Sequence, residues 1–162
     1  MKVRQNSMRK KIVEILVLCL LIFAAYFISK NYVQVMLIQG DSMNPTYRNM
    51  QLVFLDKTSE EYVVNDVIAF RCEELSATLV KRIVAVPGDT VRIIDNILYV
   101  NGQSSSFYAD AHFAYSGIAE NSIILEESQY FVVGDNIEQS KDSRYAEIGC
   151  VDKESIIGRV YR

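Results

Sequence analysis

The chain has 162 residues, half of them hydrophobic, and a formal net charge of -3 from 17 Lys and Arg against 20 Asp and Glu. This length fits one domain, and the many apolar and aromatic residues exclude a disordered or low-complexity chain. Three Cys are too few for a disulfide scaffold and lack the spacing of a zinc site, and a single His excludes most histidine-based metal and triad chemistry. Any chemistry must therefore use other side chains.

The N-terminal segment combines a basic tail with a long apolar run. Residues 1–11 contain no acidic residue and five basic ones: Lys2, Arg4, Arg9, Lys10 and Lys11. Residues 12–30 are predicted to form a transmembrane helix, because the stretch from Ile15 to Ile28 is wholly apolar. At about 1.5 Å per residue, the segment from Ile12 to Ile28 covers about 25 Å, so residues 32–38 are expected to supply the remaining depth of a core of about 30 Å.

A cleaved signal peptide and a buried helix are the alternatives to an anchor. No convincing small-x-small cleavage site follows the apolar run, because Tyr26, Phe27 and Lys30 crowd the small residues there. An uncleaved anchor is therefore predicted, with residues 1–11 in the cytoplasm and residues 31–162 outside the cell membrane. The lipid bilayer is an expected partner, whereas nucleic acid is not, because residues 31–162 carry 11 basic and 19 acidic residues.

The part outside the membrane is predicted to be one compact, mainly β domain. Short runs rich in Val, Ile, Tyr and Phe alternate with turn signals, and no stretch shows a long helical period. The predicted strands are Val33–Ile38, Leu52–Asp56, Asp66–Arg71, Thr78–Val86, Thr90–Ile94, Ile97–Val100, Ser122–Leu125, Tyr130–Val133 and Ser155–Tyr161. Asp95-Asn96 and Asn101-Gly102 predict tight turns, which make Val91–Gln103 a β-ribbon, and Ser104–Glu120 is predicted to be a loop within the region of about residues 90–130.

Three segments interrupt the β pattern and concentrate polar residues. They are Gly40-Asp41-Ser42-Met43-Asn44-Pro45-Thr46, Lys81-Arg82 followed by Pro87-Gly88-Asp89, and Gly134-Asp135-Asn136 followed by Ser140-Lys141-Asp142-Ser143-Arg144. Taken singly, each has an ordinary structural interpretation as a turn or a surface ion pair. Together, and in this order after an anchor, they resemble the type I (leader) signal peptidases, most closely the compact Gram-positive-like members.

The resemblance covers nearly the whole chain and implies a fold, a function and several roles. The fold is the β catalytic domain shared by signal peptidases and repressor-type proteases. The function is that of a membrane-bound serine endopeptidase that removes signal peptides. Ser42 matches the nucleophile, Lys81 its general base, and Ser140 the serine that hydrogen-bonds the lysine. Asp142 and Arg144 match a pair that braces the active-site wall.

The turn around the serine carries further expectations. Gly40 stands where some relatives place a serine hydroxyl, so the backbone N–H of Ser42 is expected to stabilise the oxyanion. Asp41 is interpreted as a turn residue. Asn65 replaces a Gly that often precedes Asp-Val in the family, and Gln139 replaces the more usual Asn before Ser140. Whether Cys72 and Cys150 pair is left open by the sequence.

The chemistry of the residues agrees with a Ser-Lys pair. A serine hydroxyl needs a base, but a solvated lysine with a pKa of about 10.4 is deprotonated only to about one part in a thousand near pH 7.4. Lys81 lies in an apolar strand, so we expect burial to lower its pKa and activity to rise as it loses its proton. Arg82, on the opposite face, is expected to stay charged in an ion pair.

Two apolar segments flank the proposed pair and predict how a substrate binds. The strand Val33–Ile38 leads to Ser42, and Leu79-Val80 leads to Lys81. An extended peptide can lie between them, with its residues at -1 and -3 facing the enzyme. The residues predicted to contact substrate are Val35, Leu37, Met43, Leu79 and Val80. The resemblance implies shallow pockets, so we expect preproteins with Ala-x-Ala-like cleavage sites as substrates.

No cofactor or metal is expected, and the secretion translocon is a further expected partner. One competing interpretation is a self-cleaving repressor-type protease, but the chain has an anchor where such proteins carry a DNA-binding domain. The other is a non-catalytic factor for assembly of pili or other surface structures. Such a factor would be expected to lose Ser42 or Lys81, and both are present.

Overall fold

The computed structural model describes the backbone of residues 2–161 and the side chains of residues 9–161. It begins with one long helix, α1 (Lys2–Asn31). Within α1, the segment Arg9–Asn31 contains an 18-residue window with a mean hydropathy of 2.7 and no buried residue, which fits a membrane span. Eighteen helical residues cover about 27 Å at 1.5 Å each. The chain then enters the sheet at Val33, so residues 33–37 form β1 and do not extend the helix.

Eleven strands are assigned within residues 2–161. They are β1 (Val33–Leu37), β2 (Leu52–Asp56), β3 (Val67–Cys72), β4 (Ala77–Ala85), β5 (Thr90–Ile94), β6 (Ile97–Val100), β7 (Gln103–Ser104), β8 (Ile123–Ile124), β9 (Gln129–Val133), β10 (Val151–Asp152) and β11 (Ile156–Tyr161). The nine predicted strands all exist, with small shifts at some ends. Only the two-residue strands β7 and β10 were not predicted, because two residues show no alternation.

The strands form two antiparallel sheets. The larger has the order β1-β2-β11-β3-β4-β9-β10, and the smaller has the order β7-β6-β5-β8. In the smaller sheet, Asp95 and Asn96 have φ of 48° and 65°, and Asn101 and Gly102 have 53° and 77°. These are the left-handed conformations that two-residue hairpin turns require, and they confirm the predicted ribbon.

The segment 105–120 has little regular structure, as predicted, apart from a 3₁₀ turn at Gly117–Glu120. It is nevertheless packed tightly. Tyr108 and Phe113 are 5% and 0% exposed and join a core cluster that includes Phe131 and Val133 of β9. The sequence did not predict this packing, because aromatic residues without periodicity do not reveal which element they cover.

Candidate active site

Ser42 lies in a tight turn that follows β1. The turn is closed by hydrogen bonds from the Asn44 N–H to the Asp41 carbonyl, at 3.1 Å, and from the Tyr47 N–H to the Met43 carbonyl, at 2.8 Å. Met43 is 1% exposed and packs into the core below the turn. Gly40 has φ of 88°, which a glycine adopts without strain. The buried Met43 side chain therefore anchors the turn, and the half-buried Ser42 is held at its surface.

Lys81 reaches Ser42 from β4. Its Nζ lies 2.7 Å from Ser42 Oγ and 3.0 Å from the Val80 carbonyl oxygen, and the residue is 3% exposed. Burial lowers the pKa of Lys81 to about 8, although the negative charges of Asp142 and Asp135 oppose this shift. Among the described residues, no carboxylate forms an ion pair with Lys81. An amine in this setting can lose its proton near neutral pH.

Arg82, the next residue of β4, is buried in a different environment. Its Nε and Nη2 donate to the two carboxylate oxygens of Asp135, at 2.8 and 2.6 Å. Its Nη1 donates to the Asn65 carbonyl at 2.7 Å. The expected ion pair is thus present. Asn65 has φ of 77°, a conformation that Gly or Asn adopts most readily, which explains why Asn can replace the Gly of relatives here.

The segment Gly134–Asn136 holds the backbone of the Ser42 turn. The Asn136 N–H donates to the Ser42 carbonyl at 3.0 Å, and the Asn136 side-chain amide donates to the Asp41 carbonyl at 3.2 Å. Gly134 passes so close to the Ser42 carbonyl and the Ser140 side chain that a Cβ atom would overlap both. Asp41 is exposed and joins this contact only through its backbone, in agreement with a turn role.

Asp142 and Arg144 form a fully buried pair behind this segment. The two side chains are 0% and 2% exposed, and Arg144 Nε lies 2.7 Å from Asp142 Oδ1. Asp142 also accepts a hydrogen bond from the Gly134 N–H at 3.1 Å, and Arg144 donates to the carbonyls of Ile137 and Ser140. The alternative of a mere surface ion pair is excluded, and the contacts fit a bracing role.

The hydrogen bond from Ser140 to Lys81 that the resemblance implies is not formed in the structure. Ser140 is 3% exposed, and its Oγ makes no hydrogen bond with any described residue. It packs instead against Gly134. The polar contacts of Lys81 Nζ are made with Ser42 and with its own neighbouring carbonyl. The structure therefore gives Ser140 a packing contact beside the pair.

A groove of about 490 Å³ opens beside the Ser42 and Lys81 side chains. Of the five residues predicted to contact substrate, four line it: Leu37, Met43, Leu79 and Val80. Val35 is 55% exposed and does not line this groove. The sequence analysis missed Gln34 and Met36, which line the groove. Alternation counted back from the buried Ile38 would have identified both.

The groove is bordered by two unpaired strand edges. β1 is the outermost strand of the larger sheet, and β2 is the one strand that pairs with it within residues 2–161. β4 pairs with β3 over Ala77–Arg82, but its pairing with β9 begins only at Arg82. Residues 77–81 therefore have no neighbouring strand on one edge beside the groove, where only the Val80 carbonyl is known to have a partner, Lys81 Nζ. An added peptide strand requires such an edge.

Cys72 and Cys150 are both free thiols. Cys72 is buried and packs in the same core cluster as Val151. Cys150 precedes Val151 in the chain and packs against the cluster that contains Phe131. Both residues line one surface cavity, together with Phe70 and Val151, and the structure shows no bond between their sulfur atoms.

Comparisons with known proteins agree with this geometry. The family model described as Signal peptidase, peptidase S26, matches residues 9–162. Signal peptidase I of Bacillus licheniformis is 32% identical over 160 residues, which cover 92% of this chain and 82% of that protein. Signal peptidase IB of Staphylococcus aureus (strain COL) is 29% identical over 173 residues, which cover 94% of this chain and 89% of that protein.

A crystal structure of a signal peptidase I from Enterococcus faecalis V583 is 30% identical to this chain and matches it with a TM-score of 0.53. The match covers 64% of this chain and 100% of that one. The fold and the comparisons define a serine endopeptidase with a mainly β domain. The chain belongs to the signal peptidase family, peptidase S26, and the relatives reported above are of the signal peptidase I type.

Proposed function

We propose that Ser42 and Lys81 are the catalytic pair of this peptidase and that it removes N-terminal signal peptides from exported preproteins. The observation that carries the proposal is the 2.7 Å distance between Lys81 Nζ and Ser42 Oγ in a buried site whose lysine has a lowered pKa. Neutral Lys81 takes the Ser42 proton as Oγ attacks the scissile carbonyl carbon. Gly40 has no side chain that could donate a hydrogen bond, so the Ser42 N–H is the proposed donor to the oxyanion.

The same two side chains complete the reaction. The tetrahedral intermediate collapses to an acyl-enzyme on Ser42 as the ammonium of Lys81 gives its proton to the leaving amine. Lys81 then accepts a proton from a water molecule as the water oxygen attacks the acyl carbon. As the bond from the acyl carbon to Ser42 Oγ breaks, Lys81 returns this proton to Oγ, which frees the signal peptide and restores the Ser42 hydroxyl. The Asp142–Arg144 ion pair braces the wall of the active site. No cofactor takes part in any step.

The groove supports a substrate bound as an added strand. A peptide between β1 and residues 77–81 of β4 would hydrogen-bond both free edges and place its residues at -1 and -3 on the enzyme side. Leu37, Met43 and Leu79 offer these residues an apolar surface. We therefore propose cleavage after Ala-x-Ala-like sequences. A preprotein series varied at -1, -2 and -3 tests this, and efficient cleavage with Phe or Lys at -1 would exclude the groove as the specificity site.

The lipid bilayer is the proposed second partner, with the N-terminus in the cytoplasm and the catalytic domain outside. α1 ends at Asn31, two residues before β1, and outward residues of β1 and β2 are apolar and exposed. They include Val33, Val35, Leu52 and Phe54. The secretion translocon, which delivers preproteins at the same surface, is a further proposed partner. External protease added to spheroplasts should degrade the domain, whereas complete protection would reverse this orientation.

The decisive experiment incubates the purified full-length protein in detergent with several preproteins and sequences the new N-termini. We expect cleavage at one site in each by the wild type and none by a folded Ser42→Ala variant. Equal cleavage by Ser42→Ala would exclude the proposed nucleophile. Failure of the wild type to cleave any preprotein would favour the alternative function, a signal-peptidase-like factor for the assembly of pili or other surface structures.

A further inference from the structure

The loop that follows the β-ribbon makes direct contacts with the residues behind the proposed catalytic pair. The Tyr108 hydroxyl lies 3.3 Å from Asp135 Oδ1 and 3.4 Å from the Val133 carbonyl oxygen. The Arg82 guanidinium stacks on the ring of the adjacent Phe107, with Arg82 Cζ 4.2 Å from the ring centroid. Two consecutive aromatic residues thus cover both members of the Arg82–Asp135 ion pair.

Asp135 connects this loop to Ser42. Its carboxylate is held by Arg82 and Tyr108, while its chain neighbours Gly134 and Asn136 contact the Ser42 carbonyl from the other side. A change in the position of the Asp135 side chain therefore reaches the turn that carries Ser42 through the backbone of the adjacent residues Gly134 and Asn136.

Asp135 also acts on Lys81 through its charge. The negative charges of Asp142 and Asp135 raise the pKa of Lys81 against the larger lowering by burial. Asp142 faces Arg144, and Asp135 faces Arg82 from β4 and Tyr108 from the loop. Burial raises the pKa of Tyr108 far above its ordinary value, with the charge of Asp135 adding to the effect, so its hydroxyl keeps its proton and remains a donor at any assay pH.

We infer that Tyr108 is a positioning residue for the Ser42–Lys81 pair, which it influences through Asp135. Its hydroxyl orients the Asp135 carboxylate and offsets part of its negative charge, and its ring, 5% exposed, fixes the loop against β9. Tyr108 does not line the substrate groove. The inference rests on the proposed catalytic roles of Ser42 and Lys81 and adds a residue that nothing in the three polar motifs indicates.

The Tyr108→Phe variant keeps the ring and removes only the hydroxyl. Without this donor, the Asp135 charge acts more strongly on Lys81 and stabilises its ammonium form. The acid limb of the pH profile should therefore move to higher pH, by roughly half a unit, and kcat below that limb should fall about threefold with KM unchanged. The matched control is Tyr130→Phe, which removes the hydroxyl of a tyrosine that is also 5% exposed but lies in a different core cluster.

The experiment measures two quantities on the full-length variants in detergent. One is the pH profile of preprotein cleavage. The other is the titration of ¹³C-labelled lysine by NMR, with the Lys81 signal assigned by its loss in Lys81→Met. We expect both to shift upward in Tyr108→Phe and neither to shift in Tyr130→Phe. A further variant, Tyr108→Phe combined with Asp135→Asn, should titrate like Asp135→Asn alone, because the effect acts through Asp135.

The two readouts separate this inference from the proposed function. An unchanged Lys81 titration in a folded Tyr108→Phe protein would overturn the role of Tyr108, whether or not the protein cleaves preproteins. A drop in activity and thermal stability with an unshifted acid limb would likewise reduce Tyr108 to a packing residue. If Asp135→Asn does not fold, the single Tyr108→Phe variant and its control still decide the question. Absence of cleavage by the wild type, by contrast, would refute the proposed function. The Lys81 titration measured by NMR would still decide whether Tyr108 acts on Lys81.

Discussion

Lys81 and Arg82 are neighbours on opposite faces of β4, and their pKa values shift in opposite directions. Lys81 and Arg82 are 3% and 8% exposed. Lys81 faces the groove, where its nitrogen contacts a hydroxyl and a carbonyl, and burial lowers its pKa to about 8. Burial also disfavours the Arg82 charge, but the hydrogen bonds and charge of Asp135 outweigh it and raise the pKa of Arg82. Lys81 can act as the base because lysine has the lower ordinary pKa and burial lowers it further, whereas Arg82 stays charged beside Asp135.

The largest effect on activity is expected when Lys81, which faces the groove, is replaced by a residue that cannot act as a base. Lys81→Arg places a guanidinium that cannot lose its proton next to Ser42, and Lys81→Met removes the base altogether. Both variants should lose at least about a thousandfold in kcat/KM. Steady-state cleavage of a preprotein measures this, with circular dichroism to verify the fold. Substantial turnover by Lys81→Arg would show that the base lies elsewhere.

The next largest effect concerns the contribution of the buried Asp142–Arg144 ion pair to the free energy of unfolding. Arg144→Met leaves the Asp142 charge buried without its partner and should lower the free energy of unfolding by about 3–5 kcal/mol. The control is Lys141→Ala, which breaks the half-exposed Lys141–Glu147 pair and should leave the unfolding curve unchanged. Urea unfolding of the full-length protein in detergent compares them. Equal stability of the two variants would contradict the bracing role of the buried pair.

A smaller effect concerns the cost of burying Lys81. The folded protein prefers the neutral amine and the unfolded chain the charged one, so the unfolded state binds more protons between pH 8 and 10.5. The stability contribution of Lys81 therefore rises with pH across this window and is lost as pH falls through about 8. Lys81→Met should be more stable than the wild type at pH 7, by roughly 2–3 kcal/mol, and the difference should vanish near pH 10.5. A difference independent of pH would show that Lys81 is not desolvated.

The smallest effect probes the loop that supports Arg82. Asn65 adopts a positive φ, and its carbonyl accepts a hydrogen bond from Arg82. Asn65→Ala should cost about 1 kcal/mol, because alanine is strained in this conformation, whereas Asn65→Gly should be close to neutral. Unfolding midpoints of the two variants provide the comparison. If Ala and Gly behaved alike, the backbone conformation at residue 65 would not be the reason for Asn there.

The sequence by itself predicted the elements that depend on local chemistry. The apolar run Ile15–Ile28 next to a basic tail predicted the membrane helix, because such a pattern is typical of a span. Alternation and the Asn-Gly and Asp-Asn pairs predicted the strands and the ribbon, because tight turns demand residues that tolerate positive φ. The order of the polar motifs pointed to Ser42, Lys81 and the Asp142–Arg144 pair, since these residue types at these positions resemble one family closely.

Only the tertiary structure decided which of these side chains meet. The contact between Ser42 and Lys81 joins residues 39 positions apart, and whether Ser140 reaches the lysine depends on how Gly134 packs. Sequence periodicity predicted the strand β1, but the groove that Gln34 and Met36 line is formed only when β1 and β4 come together. The packing of Phe107 and Tyr108 onto Arg82 and Asp135 was also hidden, because a loop without a period gives no indication of the surface it covers. Local preferences fix the conformation of a segment, whereas long-range packing fixes its neighbours.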